Sequence, residues 1–317
     1  MPPEGSVHPR RQPASEFGIG VALLLEVILF SILSPHFLTT DNLLNVSLQT
    51  SINAIIAFGM TFVILTAGID LSVGSIVALA GIVATLALKT SSPFVFPIGI
   101  LAGLGAGAIS GLLAGILITR FRVTPFIVTL ALMTIWRGLS FVITEGRPVW
   151  DLPPEFSLLA SGRVFAVPVP TIVMVLVFIS SHLVLTRTRF GRYVYAVGGN
   201  PEAARLAGID TSGILRAVYT ISGTLAAASA ILLASRVNSG QPNAGVMYEL
   251  DAIAAVVVGG TSLFGGKGSV IGTLIGAFLI GVLRNGLNLL NVESYLQQVT
   301  VGLVILLAVM IDQSGKH

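Results

Sequence analysis

PIGILAGLGAGAISGLLAGILIT (Pro97–Thr119) runs for 23 residues without one charged side chain. A helix rising ~1.5 Å per residue crosses the hydrocarbon core of a bilayer in about 20 residues, so this stretch is long enough to span a membrane. Within it Gly99, Gly103, Gly107, Gly111 and Gly115 recur every fourth residue and form a smooth ridge along one helix face. Such small-xxx-small faces let helix backbones approach closely where lipid supplies no hydrophobic drive. The ridge reads as a packing surface, within a bundle or across a dimer.

The rest of the 317-residue chain has the same character. Charged residues make up 10% and hydrophobic residues 54%, with a mean hydropathy of +0.94. A soluble domain carries about 25% charge, and so few charges cannot coat this much apolar surface. Soluble enzymes, nucleic-acid binders and disordered chains fit poorly. Apolar runs at 17–34, 48–67, 72–88, 95–119, 124–144, 167–186, 213–235, 251–266, 269–290 and 294–312 predict an all-α fold, a polytopic membrane helical bundle of about ten transmembrane helices. The domain reading is a tail at 1–16, a transmembrane domain at 17–312 with a loop at 187–212, and a second tail at 313–317. The run after residue 16 has no small-residue cleavage site and reads as a retained helix.

Basic residues set the expected orientation. With the N-terminus inside, eleven lie in inner segments and four (Lys89, Arg147, Arg163, Arg236) in outer ones, a positive-inside bias that puts both termini in the cytoplasm. The net charge of +3 is not gathered into a patch, so nucleic acid is not an expected partner; membrane lipid is. There is no cysteine, and His8, His36, His182 and His317 are scattered, so no metal site is expected. The outer loop 145–166 carries Trp150 and Phe156, read as a membrane-surface anchor or a contact for an external partner.

Two places break the apolar pattern alike, TAGIDLSVGS (Thr66–Ser75) and GGTSLFGGKGS (Gly259–Ser269). Short glycine-interrupted segments are a pointer to a transport pathway, which makes Asp70, Ser72 and Ser75 path candidates. The alternative is a tight turn in which Asp70 or Ser72 caps the next helix. Asn285, Asn288 and Asn291 follow Arg284 at intervals of three. Asn285 and Asn288 are further path candidates for a polyhydroxylated solute, or else they knit helices together. Glu26, Arg137 and Arg284 lie within spans, where ionisable groups face a cavity or a partner unless, like an outer-half arginine, they snorkel to the headgroups. They do not form the acidic chain of an ion-coupled carrier.

GGNPEAARLAGI (Gly198–Ile209) predicts a short helix from its ends. Asn200 is a good N-cap, Pro201 suits the first helical position, Glu202 complements the helix dipole, Arg205 follows, and Gly208 ends the helix left-handed. A helix of about seven residues is unstable alone in water. Its strong caps suggest a preformed knob that docks on a protein, as against a connector on the membrane surface.

Four blocks resemble one family: GMTFVILTAGIDLSVGSIVALAG (Gly59–Gly81), TPFIVTLALMTIWRGLSFVITEGRPV (Thr124–Val149), GRYVYAVGGNPEAARLAGID (Gly191–Asp210) and VVVGGTSLFGGKGSVIGTLIGAFLIGVLRNGLNLL (Val256–Leu290). They are similar to the ribose-type sugar permeases of bacterial ABC importers, in the family's order and across roughly residues 45–312. The resemblance implies an importer-type bundle in the inner membrane, paired with a second permease subunit as homodimer or heterodimer. It also implies a cytoplasmic ABC ATPase that binds the ATP, a periplasmic sugar-binding protein, and a coupling helix at Asn200, Pro201, Glu202, Arg205 and Gly208. No GxxxxGK[ST] loop is present, so ATP hydrolysis is expected on a separate subunit. Rival readings are a permease for another solute (a signalling sugar or a branched-chain amino acid), a stand-alone secondary carrier, and an intramembrane enzyme, for which no nucleophile–base pair is evident.

Overall fold

The structure is a computed structural model that describes residues 13–90 and 94–314. Thirteen helices follow in order: α1 (Pro13–Leu33), α2 (Thr40–Leu65), α3 (Val73–Ala87), α4 (Val95–Phe121), α5 (Pro125–Thr144), α6 (Leu158–Ser161), α7 (Val169–Arg187), α8 (Arg189–Gly199), α9 (Pro201–Leu206), α10 (Thr211–Val237), α11 (Tyr248–Val258), α12 (Val270–Leu289) and α13 (Ser294–Ser314). A two-residue hairpin pairs Arg163–Val164 with Val167–Pro168. The fold is thus a helical membrane bundle. Most of the expected tails fall outside the described residues.

Among the described residues, six helices are long and apolar enough to cross a membrane, namely α2, α4, α5, α7, α10 and α12. The expected count of ten is not confirmed. The reason is clearest at 251–266, where α11 stops after 11 residues at Val258. The backbone then turns through left-handed positions at Gly260, Gly265, Gly266 and Gly268, which no helix can continue. At 72–88 the helix is 15 residues long, because the chain up to Ser72 is spent on a turn.

Depth in the bundle differs sharply between helices of similar hydropathy. In α2, 83% of the most apolar window is buried, against 22% in α5 and in α7. Every residue from Ala54 to Leu65 is buried, so α2 is the central post and α5 and α7 present apolar faces outward, as expected where the surrounding solvent is lipid. The buried face of α4 is its glycine ridge. A Cβ at Gly107 would strike the carbonyl of Gly223 and one at Gly223 the carbonyl of Gly107, while one at Gly111 would meet the carbonyl of Tyr219. Gly99 and Gly103 lie against Leu88 and Ala84, and Gly115 against Arg216. The ridge therefore packs within this chain, on α3 and α10.

The loop 145–166 is partly folded. Phe156 is buried against Phe96, and its carbonyl accepts a hydrogen bond from Ser235 Oγ at 2.6 Å. This corrects its reading as a surface anchor: the ring closes a small core at one end of the bundle, and Trp150 alone of the two is exposed.

Candidate functional site

Two non-helical segments enter the bundle from opposite ends and meet. After Leu65 the chain turns back along α2: Gly59 lies against Ser222 of α10, and Asp70 accepts a hydrogen bond from that same Ser222, Oγ to Oδ2, at 2.9 Å. By Asp70 the chain has retraced more than a turn of α2, so α3 starts inside the protein. From the other end, Gly240 packs on Ile82 and Thr85 in the last turns of α3, whereas Gly245 packs on Gly74 in its first. The segment 240–245 thus runs alongside α3, and α11 begins after a left-handed Met247. The carboxylate of Glu249, in the first turn of α11, lies beside Gly74 in the first turn of α3. Two broken helices meet near their N-termini, an arrangement that membrane transport proteins use at their substrate sites.

Arg137 of α5 ties this meeting point together. Its guanidinium donates to the carbonyls of Pro242 at 2.8 Å, Ala244 at 2.6 Å and Gly74 at 3.2 Å. Of the two readings, a partner within the protein or snorkelling to headgroups, Arg137 takes the first, because non-helical segments leave carbonyls that need donors. Arg284 of α12 likewise pairs with Asp251 of α11.

The other path candidates fall in three places. Asp70 is 0% exposed; its Oδ1 accepts from Ser72 N at 3.0 Å and Ser72 Oγ at 2.6 Å. Ser75 is buried next to it and donates to the Ser72 carbonyl at 2.8 Å. Asn285 exchanges two hydrogen bonds with Asn42, at 2.9 and 2.8 Å, joining the start of α2 to the last turns of α12. Asn288 is exposed. In this conformation the stripe is split, one amide knitting helices and the next facing out.

At the end of the bundle where α2 stops, α8, α9 and the 259–269 turn come together. Gly266 N donates to the Leu65 carbonyl at 2.9 Å, and a Cβ at Gly198 would collide with that carbonyl. α9 follows with Asn200 as N-cap, its side chain accepting from Ala203 N at 2.9 Å, and Gly208 at φ +81° beyond its end. Arg205 Nη2 donates to Glu202 Oε1 at 2.7 Å on the exposed face. Leu206 beside them is 82% exposed, and Phe264 of the 259–269 turn is 77% exposed, so this end presents two apolar side chains and an ion pair.

The comparisons with known proteins bear on what such a molecule is. The family model described as "Branched-chain amino acid transport system / permease component" matches residues 42–310. "Ribose import permease protein RbsC" of Haemophilus influenzae is 48% identical over 298 residues, 92% of this chain and 91% of that protein. The protein of the same name from Bacillus subtilis is 48% identical over 301 residues, 94% and 92% of the two chains. The chain belongs to this permease family. "D-allose transport system permease protein AlsC" of Escherichia coli is 39% identical over 302 residues, covering 94% of the permease and 91% of that protein. No solved structure matches the chain. The resemblance carried by the four sequence blocks is borne out.

The permease also holds a polar cluster of which the sequence pointed only to Arg284. A cavity of about 230 Å³ is lined by Gln49, Thr50, Asn53, Tyr248, Asp251 and Arg284. A second, of about 260 Å³, opens between α3, α10 and the 239–248 segment and shares Tyr248 with the first. The signal was present: Gln49 and Asn53 stand four apart on one face of α2, and Tyr248 and Asp251 three apart on α11.

Proposed function

We propose that this permease forms the membrane path of an ATP-driven importer that carries a monosaccharide, D-ribose or a close relative, into the bacterial cell. The observation that carries the reading is the near-full-length similarity to proteins named as ribose import permeases. The family description favours a second reading, a branched-chain amino acid as cargo. Against it, relatives named for ribose, D-allose, fructose and galactofuranose each align over at least 92% of this chain.

In this reading two permease subunits, identical or different, enclose the path in the inner membrane with both termini cytoplasmic. A periplasmic sugar-binding protein delivers the cargo on one side, and a separate ABC ATPase binds and hydrolyses ATP on the other. The ATPase docks on α9, where the Glu202–Arg205 pair and Leu206 stand out from the surface. Closure of the ATPase dimer displaces α9. Asp210 caps α10 through Gly213 N at 2.9 Å, and α10 is locked to α4 by the reciprocal Gly107–Gly223 contact, so a push on α9 moves α10 and α4 as one body. Gly198 and Gly266 carry the same push to the end of α2. The bundle is thereby biased between outward- and inward-open states, each with its own contacts.

The test is D-ribose uptake in cells that lack their own ribose permease and make this chain with its ATPase and binding protein. Uptake that stops when the ATPase is inactivated at its nucleotide-binding lysine is the expected result. Uptake indifferent to the ATPase moves a stand-alone carrier to the front, and strong competition by leucine but not by sugars favours the amino acid reading.

A further inference from the structure

The 230 Å³ cavity between α2, α10, α11 and α12 has a feature that packing alone does not explain. Thr50 is 2% and Asp251 5% exposed, yet Thr50 Oγ1, Asn53 Oδ1 and Asp251 Oδ2 are all buried with no hydrogen-bond partner. Buried polar atoms are nearly always satisfied, and three orphans around one cavity point to something that binds there. The space is several times the ~30 Å³ share of a liquid water molecule, so it is not limited to a single water.

The chemistry of the lining narrows the ligand. Asn53 Oδ1 and Asp251 Oδ2 only accept, Arg284 and Arg236 only donate, and the hydroxyls of Thr50 and Tyr248 do both. Asp251 spends its other oxygen on Arg284, so this carboxylate is already paired. A neutral polyol suits this mixture, since each of its hydroxyls donates once and accepts as well. An aliphatic side chain supplies none of these atoms with a partner, so an amino acid has only its ammonium and carboxylate to pair them. A site built to bond hydroxyls, by contrast, rejects a ligand that lacks them. Ile52, Ala255 and Ile280 supply the apolar wall for a sugar's C–H face.

We propose that this cavity is a binding site for a polyhydroxylated solute within each permease subunit, with Thr50, Asn53 and Asp251 taking its hydroxyls. The proposal rests on the sugar-import reading for the identity of the cargo, and deepens it by naming where the cargo pauses. Unlike these three residues, Asp70 and Asn285 use their side-chain polar atoms in hydrogen bonds within the bundle.

The chain has no cysteine, so Ala277→Cys, at a lining position that takes no hydroxyl in the proposal, carries a single thiol. In the purified full-length permease, labelling of that thiol by a water-soluble reagent is measured with D-ribose, or with betaine, a solute without hydroxyls. D-ribose at about twice its dissociation constant slows labelling about threefold, and betaine does not. A thiol that fails to label, or labels at a rate D-ribose does not change, overturns the proposal. As a companion, Thr50→Val keeps the shape and removes the hydroxyl, and lowers D-ribose uptake about fivefold at unchanged membrane level. If the unsubstituted chain moves no D-ribose while the thiol is protected, the import reading fails and the cavity stands. If uptake is ATP-dependent while D-ribose leaves the labelling rate unchanged and Thr50→Val takes up D-ribose like the parent, the cavity fails and the import reading stands.

Discussion

Gly111 shows how a single residue decides helix packing in this molecule. It lies against the carbonyl of Tyr219, and a side chain there must push α10 away. Gly111→Leu is expected to destabilise the fold by at least about 2 kcal/mol, the cost of overpacking a tight contact, read as a fall in melting temperature in detergent. Gly105 on the same helix has nothing within 4 Å of a Cβ, and Gly105→Ala is expected to leave the melting temperature unchanged or raise it. Asp70 gives a second case. It holds Ser72 N, Ser72 Oγ and Ser222 Oγ, so Asp70→Ala strands buried donors and should cost about 1–3 kcal/mol, measured the same way. Ser222→Ala removes one of these bonds and should cost less.

At the scale of elements, the sequence was most informative where the determinants are local. The helix Pro201–Leu206 was legible because its cap, its proline and its terminal glycine all lie within nine residues. The ridge on α4 was legible because a spacing of four is a face. By contrast, α2 and α5 look alike as apolar runs, and hydropathy alone does not tell a helix surrounded by protein from one surrounded by lipid. The segment 238–247 reads as an ordinary polar loop, since its descent along α3 depends on Gly74, Gly245 and the Arg137 clamp, which are far apart in sequence. One prediction belongs here. Exposed ion pairs contribute at most about 1 kcal/mol, so Glu202→Ala with Arg205→Ala should barely shift the melting temperature. If α9 docks the ATPase, the same double variant should lose most sugar-dependent ATP hydrolysis in the assembled complex. Unchanged hydrolysis would remove α9 from the coupling route.

The whole molecule sets two kinds of helix side by side. Long α4 packs by its glycines on α3 and α10, while the short helices α3 and α11 begin inside the bundle beside Glu249 and Gly74. The polar cavity adjoins α11, and its polar lining comes from residues 49–53, 236, 248–251 and 284. No single window of sequence contains that set, so a segment-by-segment reading does not assemble it. The claim at the centre of the account is that α9 faces the cytoplasm and meets a separate ATPase. The most direct test uses the cysteine-free chain carrying Glu202→Cys in sealed inner-membrane vesicles of known orientation, followed by cross-linking in cells. The account predicts labelling from the cytoplasmic side alone and capture of an ATP-binding protein. Labelling from the periplasmic side, or cytoplasmic labelling with no ATP-binding protein captured, would contradict it.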